Sequence, residues 1–380
     1  MKIRKLRTLC TLLAAVTAFS ACGQAAENTA EEAAETALTT LPETIPIVVR
    51  QTAPETAPVT CQPCTCSSEA VSEDDDRYEE DYVYLNSPAD DDLRDLANYK
   101  NLKGLCLYLP VPEDTDLSIL NSLEGLEDIT IVGNYGIERL REIKMPGVRE
   151  LTMRDSGYFS VSFIPESFPG LEYIHVSGNT LYDVSALGSI EGLKRLFIAD
   201  CGIYNIDFVR DMTGLEVLWA EDNEIVDISP LAGMTSLERL VISGNPVGDN
   251  AGETLKTLEN LDFLYADGCG ISDISFLYSC PKLTDLSLGH NPISDITPAG
   301  GLERLSSLHV PNALIDNIQA LEGLFNLEYV VLENNKITDI SPLAGCSENC
   351  LIDVYGNPVL QKDMDKFFED NPGMRPWAPG

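Results

Sequence analysis

Basic residues are scarce in this sequence. Its 380 residues include 25 Lys and Arg against 61 Asp and Glu, which gives a formal net charge of −36. Proteins bind nucleic acid by neutralising its phosphates with Lys and Arg, so the charge argues against a nucleic-acid partner. It argues equally against adsorption to anionic lipid headgroups.

Histidine and the common catalytic motifs are also scarce. The three histidines are His175, His290 and His309. The chain contains no HExxH motif, no phosphate-binding loop and no histidine matched to a serine on a strained turn. The sequence therefore predicts a protein that is not an enzyme and that needs no metal or cofactor.

Long hydrophobic runs are missing too, and the one short run lies near the N-terminus. Residues 9–19 are apolar but too few to span a bilayer. They follow a cluster of four basic residues, which is typical of an export signal over residues 1–21. The sequence Phe19-Ser20-Ala21-Cys22-Gly23 resembles a bacterial lipobox, although Phe19 stands where that family usually has Leu.

The lipobox resemblance implies cleavage before Cys22 and attachment of diacylglycerol to its thiol. A chain anchored in this way would lie at the cell surface, on the outer face of the cytoplasmic membrane, with the lipid as its only membrane contact. The alternative is an ordinary secretory signal with a cysteine at this position by chance.

Residues 22–87 are rich in Ala, Glu, Thr and Pro and poor in apolar residues. Such a segment cannot bury enough surface to offset the entropy of ordering, so the composition predicts a disordered acidic tether. Cys61, Cys64 and Cys66 lie within it. Three thiolates are one ligand short of a closed zinc site, so a metal site, a disulfide cluster and no defined role all stay open.

The rest of the chain repeats a motif, L-x-x-L-x-L-x-x-N. Successive motifs begin 22 to 24 residues apart, at Leu102, Leu126, Val148, Leu171, Leu193, Leu215, Leu237, Leu261, Leu283, Leu305, Leu327 and Asn349. A fixed period of this length indicates a solenoid, in which each turn packs only on its neighbours.

The motif resembles the leucine-rich repeat of bacterial internalins. The resemblance implies an α/β fold, a right-handed horseshoe with parallel strands on its concave face and 3₁₀ or short helical turns on its convex face. It assigns twelve repeats to 102–357, an N-terminal cap to 88–101 and a C-terminal cap to 358–380, which together form a domain over 88–380. It also implies a protein or peptide partner, without identifying one.

Each part of the motif has a physical explanation. Apolar residues two apart indicate a short strand with one buried face. The Asn eight residues after the first Leu, as in Asn134 and Asn223, is expected to turn inward and bond to backbone groups of adjacent turns. Cys201 and Cys269 take the same position, which predicts buried structural thiols.

A single Asp recurs after this Asn, at Asp183, Asp227, Asp273, Asp295 and Asp339. Calcium binding is one interpretation. Because the acids come one to a turn, we favour capping of backbone N–H groups.

Function is expected on the outward strand residues of the concave face. Large aromatic side chains facing solvent usually mark contact sites. The predicted partner-binding set is Tyr173, His175, Arg195, Phe197, Trp219, Glu221, Arg239, Phe263, Tyr265, Asp267, His309 and Tyr329. Two other hypotheses stay open: a glycan-binding module whose aromatic side chains stack on sugars, and a passive envelope scaffold. A further alternative is that these side chains bind nothing and only shield the backbone of the sheet.

Overall fold

A computed structural model describes residues 79–376 of the chain. The predicted signal at 1–21, the lipidation site Cys22 and the tether up to residue 78 lie outside the described residues. Two sheets, one of 14 strands and one of two, are present in the described part, and every strand pair in both is parallel. No helix in this part is long and apolar enough to cross a membrane.

The large sheet takes one strand from each successive turn of the chain. Its strands are β1 (Tyr82–Asn86), β2 (Gly104–Tyr108), β3 (Asp128–Val132), β4 (Glu150–Arg154), β6 (Tyr173–His175), β8 (Arg195–Phe197), β9 (Val217–Trp219), β10 (Arg239–Val241), β11 (Phe263–Tyr265), β12 (Asp285–Ser287), β13 (Ser307–His309), β14 (Tyr329–Val331), β15 (Leu351–Asp353) and β16 (Arg375–Pro376). The small sheet pairs β5 (Tyr158–Ser160) with β7 (Thr180–Tyr182).

The segments opposite the strands are mostly 3₁₀ turns, as the three-residue spacing of their apolar side chains requires. These turns are Leu96–Asn98, Leu117–Ser122, Ile137–Glu142, Val184–Ser189, Asp207–Val209, Ser229–Leu231, Ser275–Ser279, Thr297–Gly301, Gln319–Leu321 and Ser341–Gly345. The α-helices are α1 (Asp90–Asp95), α2 (Ile164–Ser167), α3 (Ala251–Leu255) and α4 (Gln361–Asp370).

The three-residue strands form because their middle residue is apolar and points inward. Leu196, Leu218 and Leu240 are each 0% exposed and lie directly beside one another in the sheet. Fully burying one such side chain stabilises the fold by about 2 kcal/mol. The two residues that flank it point to the other face, so the repeat period fixes which side chains share the concave face.

Asparagines form a second buried column, the Asn ladder, at positions 179, 223, 245, 291, 335 and 357. Asn223 is typical of it, with its Oδ1 accepting bonds from the N–H groups of Cys201 (3.0 Å) and Ile203 (2.9 Å). Its Nδ2 donates to the carbonyls of Ile198 and Ala220, at 2.8 and 3.0 Å. One side chain thus satisfies backbone groups of two turns that would otherwise be buried unpaired.

Cys201 continues this ladder, as predicted. Its Sγ donates to the carbonyls of Val176 and Ala199, both at 3.3 Å. Burial raises the pKa of the Cys201 thiol to about 12, and that of Cys269 likewise. Both thiols are therefore protonated donors at neutral pH and poor nucleophiles.

The recurring Asp caps the following 3₁₀ turn. The Oδ1 atoms of Asp227, Asp273 and Asp295 accept the N–H two residues later at 2.7, 2.8 and 2.8 Å, and that of Asp339 does so at 2.9 Å. The capping interpretation is confirmed for these four. Asp183 differs, because it adopts a left-handed backbone and its carboxylate accepts from the Ser185 hydroxyl instead.

In eleven of the twelve repeats, the residue seven places after the first residue of the motif has a positive φ. Five of these residues are glycines, and the other six are Asp155, Asp200, Asp222, His290, Asn312 and Asn334, with φ between 50° and 55°. We call these six side chains the left-handed rim. Asn, Asp and His are the non-glycine residues most often found in this conformation.

The structure differs from the sequence expectation in three places. β1 lies within the predicted tether, because Val83 and Leu85 point inward although the flanking residues are acidic. Asn134 is exposed and outside the ladder, since its turn has one extra residue before the buried Ile137. Proline is disfavoured within sheets, yet Pro376 of the predicted C-terminal cap belongs to the last strand, at the edge of the sheet.

Candidate functional site

The predicted concave-face residues form two columns across consecutive strands. Exact pairing of β6, β8, β9, β10 and β11 places Tyr173, Arg195, Val217, Arg239 and Phe263 in one column. The same pairing places His175, Phe197, Trp219, Val241 and Tyr265 in the other. Ten of the twelve predicted residues lie on or just after these five strands, while His309 and Tyr329 lie on β13 and β14.

The aromatic side chains of the two columns form a continuous chain of ring contacts, which we call the aromatic ladder. Phe197 is at its centre, with ring centroids 5.3 Å from Tyr173, 5.4 Å from His175 and 6.0 Å from Trp219, on which it stacks at 19°. Trp219 lies 6.4 Å from Phe263, which is 4.1 Å from Tyr265. Each such pair adds about 1 kcal/mol beyond the burial of its area.

Two arginines flank the aromatic ladder. The guanidinium of Arg195 lies 4.8 Å from the ring centroid of Tyr173, and that of Arg239 lies 6.0 Å from that of Phe263. Arg195 also pairs with Glu150 at 3.4 Å and Arg239 with Asp262 at 3.8 Å. These contacts hold both side chains along the ladder and fix where positive charge is available to a ligand.

The ladder is partly dehydrated. Burial raises the pKa of Tyr173 and of Tyr265 to about 12. Burial, assisted by the charge of Arg154, lowers the pKa of His175 to about 4. The sequence had suggested fully solvent-facing aromatics, but the rings are half-buried because each covers its neighbours, and Tyr329, at 44% exposed, is the exception in the predicted set.

Two acidic side chains end the site on one side. Asp267 is 5% exposed and accepts bonds from the Gly289 N–H (2.6 Å) and from the hydroxyls of Ser287 (2.7 Å) and Ser243 (3.1 Å). Burial still raises its pKa, and the nearby charge of His309 opposes that rise. His309 lies beside Ser287 in the sheet, one strand further along from Asp267 than Ser287 is, and Tyr329 lies on the next strand after that.

Glu221 is the other acidic side chain, 9% exposed, and burial raises its pKa as well. The Trp219 side chain is the hydrogen-bonding group that moderates this rise. Both carboxylates are far more buried than acidic residues normally are. The alternation of strand residues predicted their position but could not predict this burial, which depends on the large neighbouring rings.

One aromatic cluster escaped the sequence interpretation. Tyr158 and Tyr182 stack at 4.6 Å on the small sheet and are 70% and 44% exposed. Phe159 and Leu181, beside them, are buried, so the two strands alternate in the ordinary way. The alternation of exposed and buried residues along these two strands was the only sequence signal for the cluster, and both strands lie outside the repeat motif.

The histidines and acidic side chains of this face are dispersed along the sheet. Within residues 79–376, no three His, Cys, Asp or Glu side chains are grouped so that they could hold a metal ion. His175 and His309 lie on β6 and β13, with five strands of the sheet between them. The site thus consists of stacked rings, two held arginines and two buried carboxylates.

Comparison with known proteins agrees with this architecture. Two family models match, one described as leucine rich repeats (2 copies) over residues 259–301 and one as leucine rich repeat over 233–256. No curated protein matches the sequence at a significant level.

The solved structures that resemble the chain include an internalin, inlF, from Listeria monocytogenes. It is 29% identical, with a TM-score of 0.56, and the match covers 66% of this chain and 74% of that one. A Leptospira interrogans leucine-rich-repeat protein, LIC12759, is 16% identical with a TM-score of 0.54, covering 74% and 91%.

A plant protein shares the fold as well. The ectodomain of the Arabidopsis thaliana receptor kinase GASSHO1/SCHENGEN3, solved in complex with CASPARIAN STRIP INTEGRITY FACTOR 2, is 17% identical with a TM-score of 0.53, covering 70% and 37%. Four observations indicate the same fold: the repeat period, the 14-stranded parallel sheet, the short 3₁₀ turns and the family models. This chain folds as a leucine-rich-repeat solenoid and is similar to an internalin.

Proposed function

We propose that this protein is exported, anchored to the membrane by a lipid on Cys22, and binds a protein or peptide through its concave face without catalysis. The observation that carries the proposal is the aromatic ladder. Rigid, half-buried aromatic rings beside fixed charges are typical of the central residues of protein interfaces. Leucine-rich-repeat ectodomains that bind other polypeptides, such as GASSHO1/SCHENGEN3, provide a precedent for the fold.

Glycan binding is less well supported. A sugar stacks on an open ring face, but Phe197 and Trp219 lie against each other, and so do Phe263 and Tyr265. Few ring faces in the ladder are therefore free. A protein partner needs only the ring edges and the surrounding charges.

The double substitution Trp219→Ala, Tyr265→Ala tests the binding face. The wild-type protein is expected to capture a defined partner from bacterial or host surface extracts, and the variant is expected to bind it at least about 100-fold more weakly, since central aromatic residues each contribute about 2 kcal/mol or more. Affinity is measured by surface plasmon resonance with the captured partner. Thermal unfolding of both proteins checks that the variant is folded.

Phe325→Ala is the matched control, because Phe325 is an aromatic side chain 70% exposed on a turn outside the sheet. It should leave affinity unchanged. Equal binding by the double variant would refute the concave face as the site. Capture that survives protease treatment of the extract and is lost after periodate oxidation would support a glycan ligand instead.

The anchor is tested by Cys22→Ser. The wild-type protein is expected to fractionate with membranes and to gain the mass of diacylglycerol, because two acyl chains hold a protein stably in a bilayer. The variant should appear in the soluble fraction at the mass of a chain without lipid. Intact-mass spectrometry provides the readout, and a wild-type N-terminus without lipid would contradict the proposal.

A further inference from the structure

The last turn of the solenoid has two cysteines where the preceding turn has two buried leucines. Cys346 takes the position that Leu324 has one turn earlier, and Cys350 takes that of Leu327, with one more residue between the cysteines than between the leucines. Cys346 and Cys350 are 8% and 0% exposed. A cysteine side chain fills less space than leucine, so close packing of the core does not account for this pair.

The two cysteines lie at the ends of a tight turn. The Cys350 N–H donates to the Ser347 carbonyl at 2.9 Å, and the Ser347 N–H donates to the Leu327 carbonyl of the preceding turn at 3.0 Å. This backbone brings the two side chains into contact, and the Cys350 thiol donates a hydrogen bond to the Cys346 sulfur. Two cysteine side chains in contact are the arrangement from which a disulfide forms, because the bridge joins Cβ atoms about 4 Å apart.

Other buried cysteines of the repeats are arranged differently. The thiols of Cys201, Cys269 and Cys280 each donate to carbonyl groups of the backbone. Those three act as small buried donors within the solenoid, whereas the thiols of Cys346 and Cys350 contact each other.

The C-terminal cap packs on the turn that carries this pair. The Cys350 carbonyl accepts the Arg375 N–H at 3.1 Å, and Arg375 lies beside Leu351 in the last strand pair of the sheet. Gly373 approaches the Glu348 carbonyl so closely that a side chain there would collide with it. A terminal turn has a neighbouring turn on one side only, so its stability depends on the cap.

On the basis of the export proposed above, we infer that Cys346 and Cys350 form an intramolecular disulfide that closes the last turn and holds the C-terminal cap on it. Disulfides form and persist outside the cytosol, where proteins meet disulfide oxidants. A bridge across so short a loop restricts the opened state of this turn and leaves the other turns unaffected.

The bond forms by two thiol–disulfide exchanges with an oxidant that is itself a disulfide, either a small molecule or a protein. The Cys346 thiolate attacks one sulfur of the oxidant and displaces the other sulfur as a thiolate. The Cys350 thiolate then attacks the Cys346 sulfur of this mixed disulfide and displaces the second sulfur of the oxidant. The two cysteines lose two protons to the displaced thiolates, and their two electrons reduce the oxidant to a dithiol or two thiols.

The order of the two attacks follows from the hydrogen bond between the thiols. The bond from Cys350 lowers the pKa of Cys346, because the donated proton stabilises the Cys346 thiolate. The same bond, together with burial, raises the pKa of Cys350. Cys346 is also the more exposed of the two, so the first exchange takes place there.

Peptide mapping of the full-length chain tests this inference. The purified chain is refolded in a mixture of oxidised and reduced glutathione, alkylated with iodoacetamide in guanidinium and cut with trypsin. The two cysteines of the last turn then lie together on the peptide 337–362. We expect this peptide to carry no alkyl group and to be lighter than its reduced form by two hydrogen atoms.

The peptide 257–282 is the internal control. It also contains two buried cysteines, Cys269 and Cys280, whose thiols donate to different backbone carbonyls. Both of its cysteines should be alkylated in the same sample.

Reduction with dithiothreitol then gives the magnitude without any substitution. The backbone amides of residues 361–376 are expected to exchange with deuterium about 10-fold faster in the reduced chain than in the oxidised chain, because the opened turn regains conformational freedom. Exchange in residues 215–245 should stay the same, since each turn contacts only its neighbours. The Cys346→Ala, Cys350→Ala variant should exchange at the fast rate in both buffers, whereas Cys280→Ala should respond to reduction as the wild-type protein does.

The outcomes separate this inference from the proposed function. Alkylated cysteines on the peptide 337–362, or a glutathione adduct on either of them, overturn the disulfide. Equal exchange in the oxidised and reduced chains overturns its role in holding the cap. The mapping uses purified protein, so a bridged peptide together with a lipid-free N-terminus supports the disulfide and contradicts only the anchor at Cys22.

Discussion

Replacing Asn291 with alanine is expected to lower the free energy of unfolding by about 4 kcal/mol, since each buried backbone group left unpaired costs about 1–3 kcal/mol. Asn291 is 2% exposed, and its Oδ1 accepts the N–H groups of Cys269 and Ile271, both at 3.0 Å. Its Nδ2 donates to the carbonyls of Ala266 (2.7 Å) and Leu288 (3.0 Å). Alanine supplies none of these bonds, and the site is shielded from bulk solvent.

Asn357→Ala provides the matched control. Asn357 makes the same kind of bonds, accepting from Ile337 at 2.9 Å and donating to Leu332 at 2.7 Å, but it lies on the last full turn and is only half-buried. Water can replace its bonds, so we expect a loss of about 1 kcal/mol. Urea denaturation followed by circular dichroism measures both losses, and equal losses would show that burial does not determine the cost.

Asn291→Cys should fall between these values, because Cys201 and Cys269 already occupy the ladder with a thiol donor. It keeps a donor but loses the strong acceptor. The variant therefore measures the contribution of the amide oxygen, an acceptor, separately from that of the amide N–H donor. A loss as large as that of alanine would mean that the acceptor alone carries the stability.

Acidification from pH 7 to pH 4 is expected to destabilise the wild-type protein by about 3 kcal/mol more than the His175→Phe variant. The pKa of His175 falls from 6.5 to about 4, first because the ring is buried and second because Arg154 is near. Between pH 6.5 and pH 4, His175 is therefore protonated in the unfolded chain and neutral in the folded chain. This contribution is fully present above pH 6.5 and is lost as the pH falls towards 4.

Phenylalanine keeps the ring contact with Phe197, which is 5.4 Å in the wild-type protein, and removes the titration. His290→Asn serves as the control, because His290 is exposed and Asn tolerates its φ of 55°. Its pH profile should match the wild-type profile. Chemical denaturation at half-unit pH steps gives the difference, and parallel profiles for wild type and His175→Phe would contradict the assigned pKa.

The fold was largely predictable because each turn repeats the same local rule. Leu218, Asn223 and Ile225 recur at fixed spacing, and that spacing places one strand, one ladder position and one 3₁₀ turn in most repeats. β1 was missed because Tyr82–Asn86 has no leucine at the first repeat position. The small sheet was missed because the repeat motif has no strand at this place in the other turns, although Tyr158 and Thr180 are one repeat of 22 residues apart.

The set of side chains that share this face of the sheet was predictable, but their burial was less so, and the binding role of the face stays a prediction. Alternation along the strands identified Trp219 and Tyr265 as outward residues, and the structure brings them together with Phe197 and Phe263. Their mutual burial, and the burial of Glu221 beside them, depends on ring orientations across neighbouring turns. Sequence spacing specifies which residues are adjacent but not how their side chains fold over one another.

The left-handed rim has a consequence for how this surface can evolve. Its backbone admits Gly, Asn, Asp and His at little cost, and it penalises Lys, Arg and β-branched residues. Asp differs from each of the other three permitted residues by a single nucleotide. Residues such as Asp155, Asp200 and Asp222 can therefore drift between charged and neutral forms one mutation at a time, without passing through a misfolded intermediate. Lineages are free to adjust the charge along this edge of the sheet while the solenoid itself stays constant.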